Sequence, residues 1–485
     1  MRLEVIGLVV SLVGLVHSLI PLEVKGNRFV QPALDYGDDG KEFVMIGVDY
    51  QLGGASSYDP DSGEDVLSDE EVCLRDAYVL QQLGVNTIRV YTVNPWINHD
   101  KCMSIFNAAG IYVLLDVNTP LGGESLSRSD PGDSYHEGYL NHVFGVIDAF
   151  KGYPNLMGFF SGNEVVNDGD SAKKVPQYIR AVQRDMKQYI AKHADRDIPV
   201  GYSAASDTKL RAAMWKYLEC GDDVSRSDFY GLNSYDWCSG RDDWQSSGYG
   251  NLQDTFKDSS IPVFMSEYGC NVNRPRTFDE VNKGLYGDLS KSFAGGLIYE
   301  YGEEDNNYGL VDVKDDGTLK FKKDYDNLKK QFKNIKEPNT KSSDIKNETS
   351  KCDKDAIKKL DSSFQTNFTL PDCPAKDLLK KGGGNKNVGK IVDVDKKSSK
   401  YEIQDSNGDK VSDTSIKIDK DNLVNKQRGA PSDDDNDDDK SSTSSASRAS
   451  QTSDSSSSSS KDAAFHLSPQ SSILGSIFAT IFMLV

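Results

Sequence analysis

The sequence predicts an α/β protein, a (β/α)8 TIM barrel followed by a disordered stalk rich in Ser, Asp and Lys. Three observations carry that prediction. From Lys25 to about Lys336 the chain is rich in aromatics and glycine, and eight short apolar runs recur there with helical stretches between them. Alternating strands and helices imply a parallel sheet, and eight units in about 310 residues suit a closed barrel while being long for other single-core folds. Polar and aromatic residues collect at the C-terminal ends of those runs, where such a barrel builds its site. A doubly wound open sheet is the alternative, but no GxGxxG or GxxxxGK(S/T) follows the first strand to cradle a phosphate.

The eight runs are Phe43 to Tyr50, Val85 to Val93, Ile111 to Val117, Leu156 to Ser161, Ile198 to Ser203, Phe229 to Tyr235, Pro262 to Ser266 and Gly295 to Tyr301. Continuous apolar character over so few residues marks strands covered on both faces. Asp69 to Leu83 reads as a helix with Ser68 as its N-cap and Gly84 just past its end, and Pro176 to His193 places apolar residues at helical spacing.

Chemistry gathers where the strands end. The fourth run stops at Asn163 and Glu164, and the seventh runs straight into Glu267. Tyr50 and Gln51 end the first, Arg89 and Tyr91 the second, and Asp116 and Asn118 the third. Asn233, Tyr235 and Trp237 end the sixth, and Tyr299 and Glu300 the eighth. One such residue alone reads as a loop or capping side chain. Two glutamates facing each other across a barrel mouth suit two-carboxylate glycosyl chemistry, in which one acid donates a proton and one carboxylate attacks. None of the six histidines falls at a strand end, which leaves Ser-His-Asp and His-metal sites unsupported.

The flanks address the chain. Arg2, the apolar segment Ile6 to Val16 and the residues Val16-His17-Ser18 form a signal peptide, with cleavage expected after Ser18. A segment of about ten apolar residues is too short to span a bilayer. Beyond Ala375 the composition turns to Lys, Asp and Ser, with an acidic run at Asp433 to Asp439 and a serine run at Ser455 to Ser460. Such a segment lacks the apolar surface to fold, and is expected as a stalk over 375–462. Small residues at Ser458 to Ala464, with Asp462 as the attachment site, then an apolar end from Ile473, read as a GPI signal whose propeptide is 463–485. A net charge of −19 argues against nucleic acid as a partner. No CxxC pair supports zinc, and no cofactor is called for. The seven cysteines of an exported chain should mostly be paired, but six of them already allow fifteen pairings. Asn347 and Asn367 head two N-glycosylation sequons.

The motifs GVDYQ, IRVYTVNP, LLDVNTP, FFSGNEVVND, GLNSYDWC, FMSEYGCN and GGLIYEYGEEDNNYGL together resemble glycoside hydrolase family 72, the fungal GPI-anchored β-1,3-glucanosyltransferases. The resemblance covers about Leu22 to Cys352. It implies a retaining enzyme that cleaves β-1,3-glucan internally and transfers the donor piece to the non-reducing end of an acceptor glucan, at the outer cell surface. It further implies Glu164 as acid/base, Glu267 as nucleophile, Gln51, Tyr91, Asp116, Asn163, Tyr235 and Tyr299 as donor-site contacts, and Asp207, Arg211 and Tyr308 as lining residues. The family's disulfides carry over as Cys73 to Cys102, Cys220 to Cys352 and Cys238 to Cys270, so that 19–336 would be the catalytic barrel and 337–374 an extension tied to it. Cys373 is left alone. The chain resembles the subclass that lacks a cysteine-rich glucan-binding module.

Overall fold

The computed structural model describes residues 18–33, 38–418 and 424–425. Eight parallel strands close into a barrel: β1 (Met45–Asp49), β2 (Thr87–Val90), β3 (Tyr112–Asp116), β4 (Leu156–Asn163), β5 (Val200–Ala205), β6 (Tyr230–Asn233), β7 (Val263–Tyr268) and β8 (Gly295–Ile298), each paired with its neighbours in chain order and β8 with β1. Each coincides with one of the eight apolar runs, β4, β5 and β7 running two residues beyond the expected end, to Asn163, Ala205 and Tyr268. Packing within the wall is tight: a Cβ on Gly201 would sit 2.2 Å from the Phe229 ring, so only glycine fits that position.

The barrel's interior is layered. A three-stranded antiparallel sheet (Glu23–Lys25, Arg28–Gln31, Lys41–Phe43) plugs its lower end, and Phe29 packs against Phe229 and Phe264 at 6.0 and 5.9 Å between ring centroids. Phe160 meets Phe229 edge-on at 5.3 Å. Over Phe160 lies the guanidinium of Arg89, 4.5 Å from the ring centroid. The apolar lower half thus ends at a buried cation, and the charged half above it is the site.

Around the strands run α1 (Glu70–Leu83), α2 (Asp100–Ala108), α3 (Glu137–Phe150), α4 (Pro176–His193), α5 (Arg211–Glu219), α6 (Tyr249–Phe256) and, past β8, α7 (Lys323–Lys333). After β7 a π-turn (Val281–Leu285) and a 3-10 turn (Asp288–Lys291) stand where an α-helix would be. Helix α4 has the expected bounds. The cap of α1 is Asp69, whose carboxylate accepts from the Glu71 and Val72 amides at 2.7 and 3.2 Å. Ser68, expected in that role, instead donates to the Asp65 carbonyl at 2.7 Å and accepts from its amide at 2.9 Å. Gly84 closes the helix at φ 89°, where glycine is unstrained.

The three implied disulfides are formed: Cys73–Cys102, Cys220–Cys352 and Cys238–Cys270. Cys373 is free and buried, its thiol pushed up to about 11 by burial and the neighbouring Asp185. The Cys220–Cys352 bridge encloses a separation of 132 residues. A loop of that size is worth about 4 to 5 kcal/mol in the chain-entropy model. Replacing both cysteines by serine is therefore expected to lower the denaturation midpoint strongly, whereas an unchanged midpoint would remove the staple from the account.

One boundary differs from expectation. Residues 376–418, assigned above to an unfolded stalk, are laid on the barrel as a belt that visits the helices in reverse order. Just before it, in the extension, Tyr217 of α5 stacks on Phe368 at 4.7 Å, and Arg184 of α4 donates to the Pro371 carbonyl at 2.8 Å. The Gly383 amide reaches Tyr189 of α4 at 2.6 Å, and the Asn385 amide group reaches the Gly145 carbonyl in α3 at 3.1 Å. Lys390 and Val392 then donate through their backbone to Asp100 and Ser104 of α2 at 3.0 and 2.9 Å. Lys400 does the same to Glu71 of α1 at 2.7 Å, and Ile403–Gln404 adds a parallel strand beside Leu319–Phe321. Finally Asn425 donates to the carbonyls of Gln81 and Val85, at the lower rim. Composition misleads here because the belt is held mainly by backbone and amide hydrogen bonds, with sparse apolar anchors such as Ile403 and Ile416. Residues 430–485, with Asp462 and the apolar end, and the signal segment 1–17 lie outside the described residues.

Candidate active site

The site occupies the upper rim, at the C-terminal ends of the strands, as this barrel type requires. Register breaks occur immediately before both glutamates: between Phe160 and Asn163 in β4, and between Met265 and Glu267 in β7. Such irregularities re-aim the side chains that follow them. Glu164 itself takes φ 48°, a left-handed conformation uncommon for a residue with a side chain, and its amide is fixed to the Ser203 carbonyl at 2.9 Å.

Glu267 is buried yet fully satisfied. Tyr235 donates its hydroxyl to Oε2 at 2.8 Å, Tyr91 donates to Oε1 at 2.9 Å, and Arg89 Nη1 reaches Oε1 at 3.2 Å. Burial pushes its pKa up to about 7, Arg89 opposes that shift, and the charge of Glu164 adds to it. Tyr91 and Tyr235 are themselves raised by burial and remain neutral donors.

Arg89 is the hub. Its Nε and Nη2 clamp both oxygens of Asp116 at 2.8 and 3.1 Å, and Nη2 also reaches Asn163 Oδ1 at 3.1 Å. Asn163 Oδ1 accepts in turn from Asn233 Nδ2 at 3.1 Å, and the same amide reaches Glu164 Oε1 at 2.9 Å. An unbroken chain of contacts therefore runs Glu267, Arg89, Asn163, Asn233, Glu164. Ser203 and Ser266 hold Asn233 Oδ1 from beneath at 3.1 and 2.8 Å, which fixes the amide with its NH2 toward the glutamates. Burial raises Asp116, and Arg89 opposes.

One wall is aromatic. Tyr235, Tyr299 and Tyr308 pack edge to face around one another, with centroids 5.3 to 6.2 Å apart. Three tilted rings with their hydroxyls near carboxylates offer both flat faces and donors, a lining suited to sugar rings. Beyond β8, Glu300 is buried and accepts from Asn306 at 2.7 Å. Burial pushes it up to about 8.

The expected site residues thus divide. Glu164, Glu267, Tyr91, Asp116, Asn163, Tyr235, Tyr299 and Tyr308 come together at one mouth. Gln51 is beside them, but its amide is used in holding the loop after β2: Oε1 accepts from the Tyr91 and Thr92 amides, both at 3.1 Å, and Nε2 donates to Thr92 at 2.8 Å. Asp207 caps the turn into α5, accepting from the Lys209 and Leu210 amides at 2.8 and 2.9 Å. Arg211 binds Ser206, Asp236 and Asn251. Neither contacts the two glutamates. Arg89 and Asn233, named above among the strand-end residues, belong to the site without having been given a role there, and Asp49 belongs to it without having been singled out. Side chains alternate along a strand, so Gln51 and Tyr91, once placed in the mouth, carry Asp49 and Arg89 to the same face.

The comparisons with known proteins agree with this geometry. The family model described as Glucanosyltransferase matches residues 12–336. The probable 1,3-beta-glucanosyltransferase GAS3 of Saccharomyces cerevisiae is 54% identical over 432 residues, which is 85% of this chain and 82% of that one. That span runs past the barrel into the belt. The 1,3-beta-glucanosyltransferase gel2 of Aspergillus fumigatus is 47% identical over 417 residues, 84% of this chain and 85% of its own. Among solved structures, a mutant of Saccharomyces cerevisiae Gas2p in complex with laminaritetraose and laminaripentaose is 37% identical, with a TM-score of 0.65 over 74% of this chain and 76% of that one. On these matches the chain belongs to the glucanosyltransferases of glycoside hydrolase family 72.

Proposed function

We propose that the protein is a retaining 1,3-β-glucanosyltransferase in which Glu267 is the nucleophile and Glu164 the acid/base. The observation that carries this assignment is the difference between the two carboxylates. Glu267 is buried but faces three donors, the arrangement that keeps a buried carboxylate available as an anion. Glu164 meets one neutral amide, that of Asn233 at 2.9 Å, and no cation, the surroundings of an acid/base rather than of a charge-paired nucleophile.

In the first half-reaction Glu164 protonates the glycosidic oxygen of a β-1,3-glucan while Glu267 attacks the anomeric carbon, forming an ester and releasing the far piece of the chain. Glu164, now ionised, takes the proton from the 3-hydroxyl at the non-reducing end of an acceptor glucan, whose oxygen displaces Glu267. The product is a longer β-1,3 chain. Asn163 is placed to hold the donor sugar's 2-hydroxyl, a contact that strengthens in the transition state. Asp116, bound to Nε and Nη2 of the guanidinium, orients Arg89, and Tyr235, Tyr299 and Tyr308 supply the sugar platform. Asp207 and Arg211 shape the rim at α5. The apolar segment Ile6 to Val16 and the small-residue stretch before the apolar C-terminal end support export and a GPI lipid at the outer leaflet. Asn347 and Asn367 are exposed, as occupied glycosylation sites must be.

Incubation with a reduced laminari-oligosaccharide tests the activity. Products longer than the starting sugar are expected. Shorter products alone would mean that water is the acceptor, and binding without turnover would leave a lectin.

The electrostatics give a pH dependence. Because Glu267 must be ionised to attack and its pKa is raised, activity should fall as the pH drops, with an acidic limb above the ordinary carboxylate range. Tyr235→Phe deletes a donor that favours the anion, so the pKa of Glu267 rises further. That limb should move to higher pH, with kcat/KM reduced roughly 10- to 100-fold, the worth of a hydrogen bond to a charged group. A limb that stays in place would show that the hydroxyl serves substrate binding alone.

A further inference from the structure

Asp49, the last residue of β1, is 0% exposed, and its Cα pairs with that of Arg89 across the β1–β2 register. Neither of its carboxyl oxygens has a hydrogen-bond partner among the described residues. Arg89 explains the vacancy. A guanidinium has five N–H donors, and here all five are engaged: Nε with Asp116, Nη2 with Asp116 and Asn163, and Nη1 with Glu267 and the Ser266 carbonyl at 3.2 Å. Asp49 faces Arg89 from β2, Asp116 from β3, Glu267 from β7, Glu300 beyond β8, and the hydroxyls of Tyr91, Tyr235 and Tyr299. A bare carboxylate in that setting is strongly disfavoured against its neutral acid. Burial raises its pKa well above the carboxylate range, Arg89 opposes, and the charges of Glu267, Glu300 and Asp116 add to the rise.

We propose that Asp49 and Glu267 alternate as the second anion balancing Arg89: Asp49 keeps a proton while Glu267 is a free carboxylate, and releases it while Glu267 is esterified. The inference rests on the double displacement described above. When Glu267 attacks, the bond to the leaving glucan breaks and the Glu164 proton goes to that leaving oxygen. The new ester is neutral. One of the charges that kept the proton on Asp49 is gone, and the guanidinium has lost an anionic partner. The Asp49 proton then passes to solvent at the mouth. In the second half-reaction the acceptor's proton goes to Glu164, the acceptor oxygen takes the sugar, the Glu267 carboxylate returns, and Asp49 takes one proton from solvent. One proton leaves and one returns in each turnover. Asp49 is a positioning residue in this scheme, since it acts through Arg89 and Glu267.

Infrared difference spectroscopy of the whole enzyme tests it, with a 2-deoxy-2-fluoro-glucosyl fluoride extended by a β-1,3-linked glucose as the trap. Fluoride departs without needing a proton, so Glu164 keeps its own. The resting enzyme should show the carbonyl stretch of a protonated carboxylic acid that is lost on trapping, with one proton released per ester formed, read by an indicator dye. Asp49→Asn should lack both signals, Glu300→Gln should keep both, and Asp49→Glu should shift the band if the asparagine variant does not fold. Mass spectrometry locates the ester. A resting enzyme without the band, or a band that persists once Glu267 is esterified, would overturn the exchange. Failure of Glu267 to esterify at all would instead overturn the displacement mechanism, and the exchange with it.

Discussion

Glu267→Gln should lose transfer by at least about 10,000-fold with every donor, because the atom that forms the ester is gone and no leaving group replaces it. Glu164→Gln should behave differently. Its shape and its contact with Asn233 survive, and only the proton is missing, so glycosylation from a glucan donor should slow about 100- to 10,000-fold. A glycosyl fluoride needs no protonation, and with that donor most of the first-step rate should return. Single-turnover kinetics on both variants, with mass spectrometry of the trapped enzyme, separates the roles. A sugar adduct on Glu164, or rescue of Glu267→Gln by the fluoride, would reverse the assignment.

A chain ending at Pro374 should fold poorly, and a chain ending at Asn425 should fold like the full protein. The shorter one loses the whole belt. Ile403 and Ile416, 1% and 2% exposed, are each worth about 1.5 to 3 kcal/mol of burial. Around them Glu71, Asp100, Ser104 and Tyr189 lose hydrogen-bond partners. Together these are of the order of 5 kcal/mol, comparable with the net stability of a whole domain. The yield of folded protein should collapse, or the melting temperature fall by roughly 10 °C. Equal yields and equal melting temperatures would show the belt to be decoration.

The strands were legible because a parallel strand buried on both faces has to be apolar along its length, and the eight runs here say so without ambiguity. The glutamates were legible for the related reason that a charge at the end of such a run can only stand at a rim. What could not be read was anything settled by partners distant in sequence. Gln51 has the type and place of a ligand contact, yet only the approach of Thr92 and Tyr91 shows how much of its amide is used. Arg89 sits inside an apolar strand, and its value appears when Asp116, Asn163, Ser266 and Glu267 are seen to converge on it. Asp207 illustrates the opposite case, a strand-end carboxylate whose local turn satisfies it. The belt escaped because composition counts apolar residues, whereas Asn385, Lys390 and Lys400 are held by polar groups already present on the helices.

The belt also fixes an order of events. Asn425 is bonded to Gln81, 344 residues earlier in the chain, and Val424 shares an apolar cluster with Leu19. A nascent chain emerges N-terminus first, so α1 and the lower rim must wait for these partners until almost everything else has been synthesised. Contacts of such long separation are slow to form. The lower rim is therefore the last seam to close, and until it does the newly made protein carries an open flank.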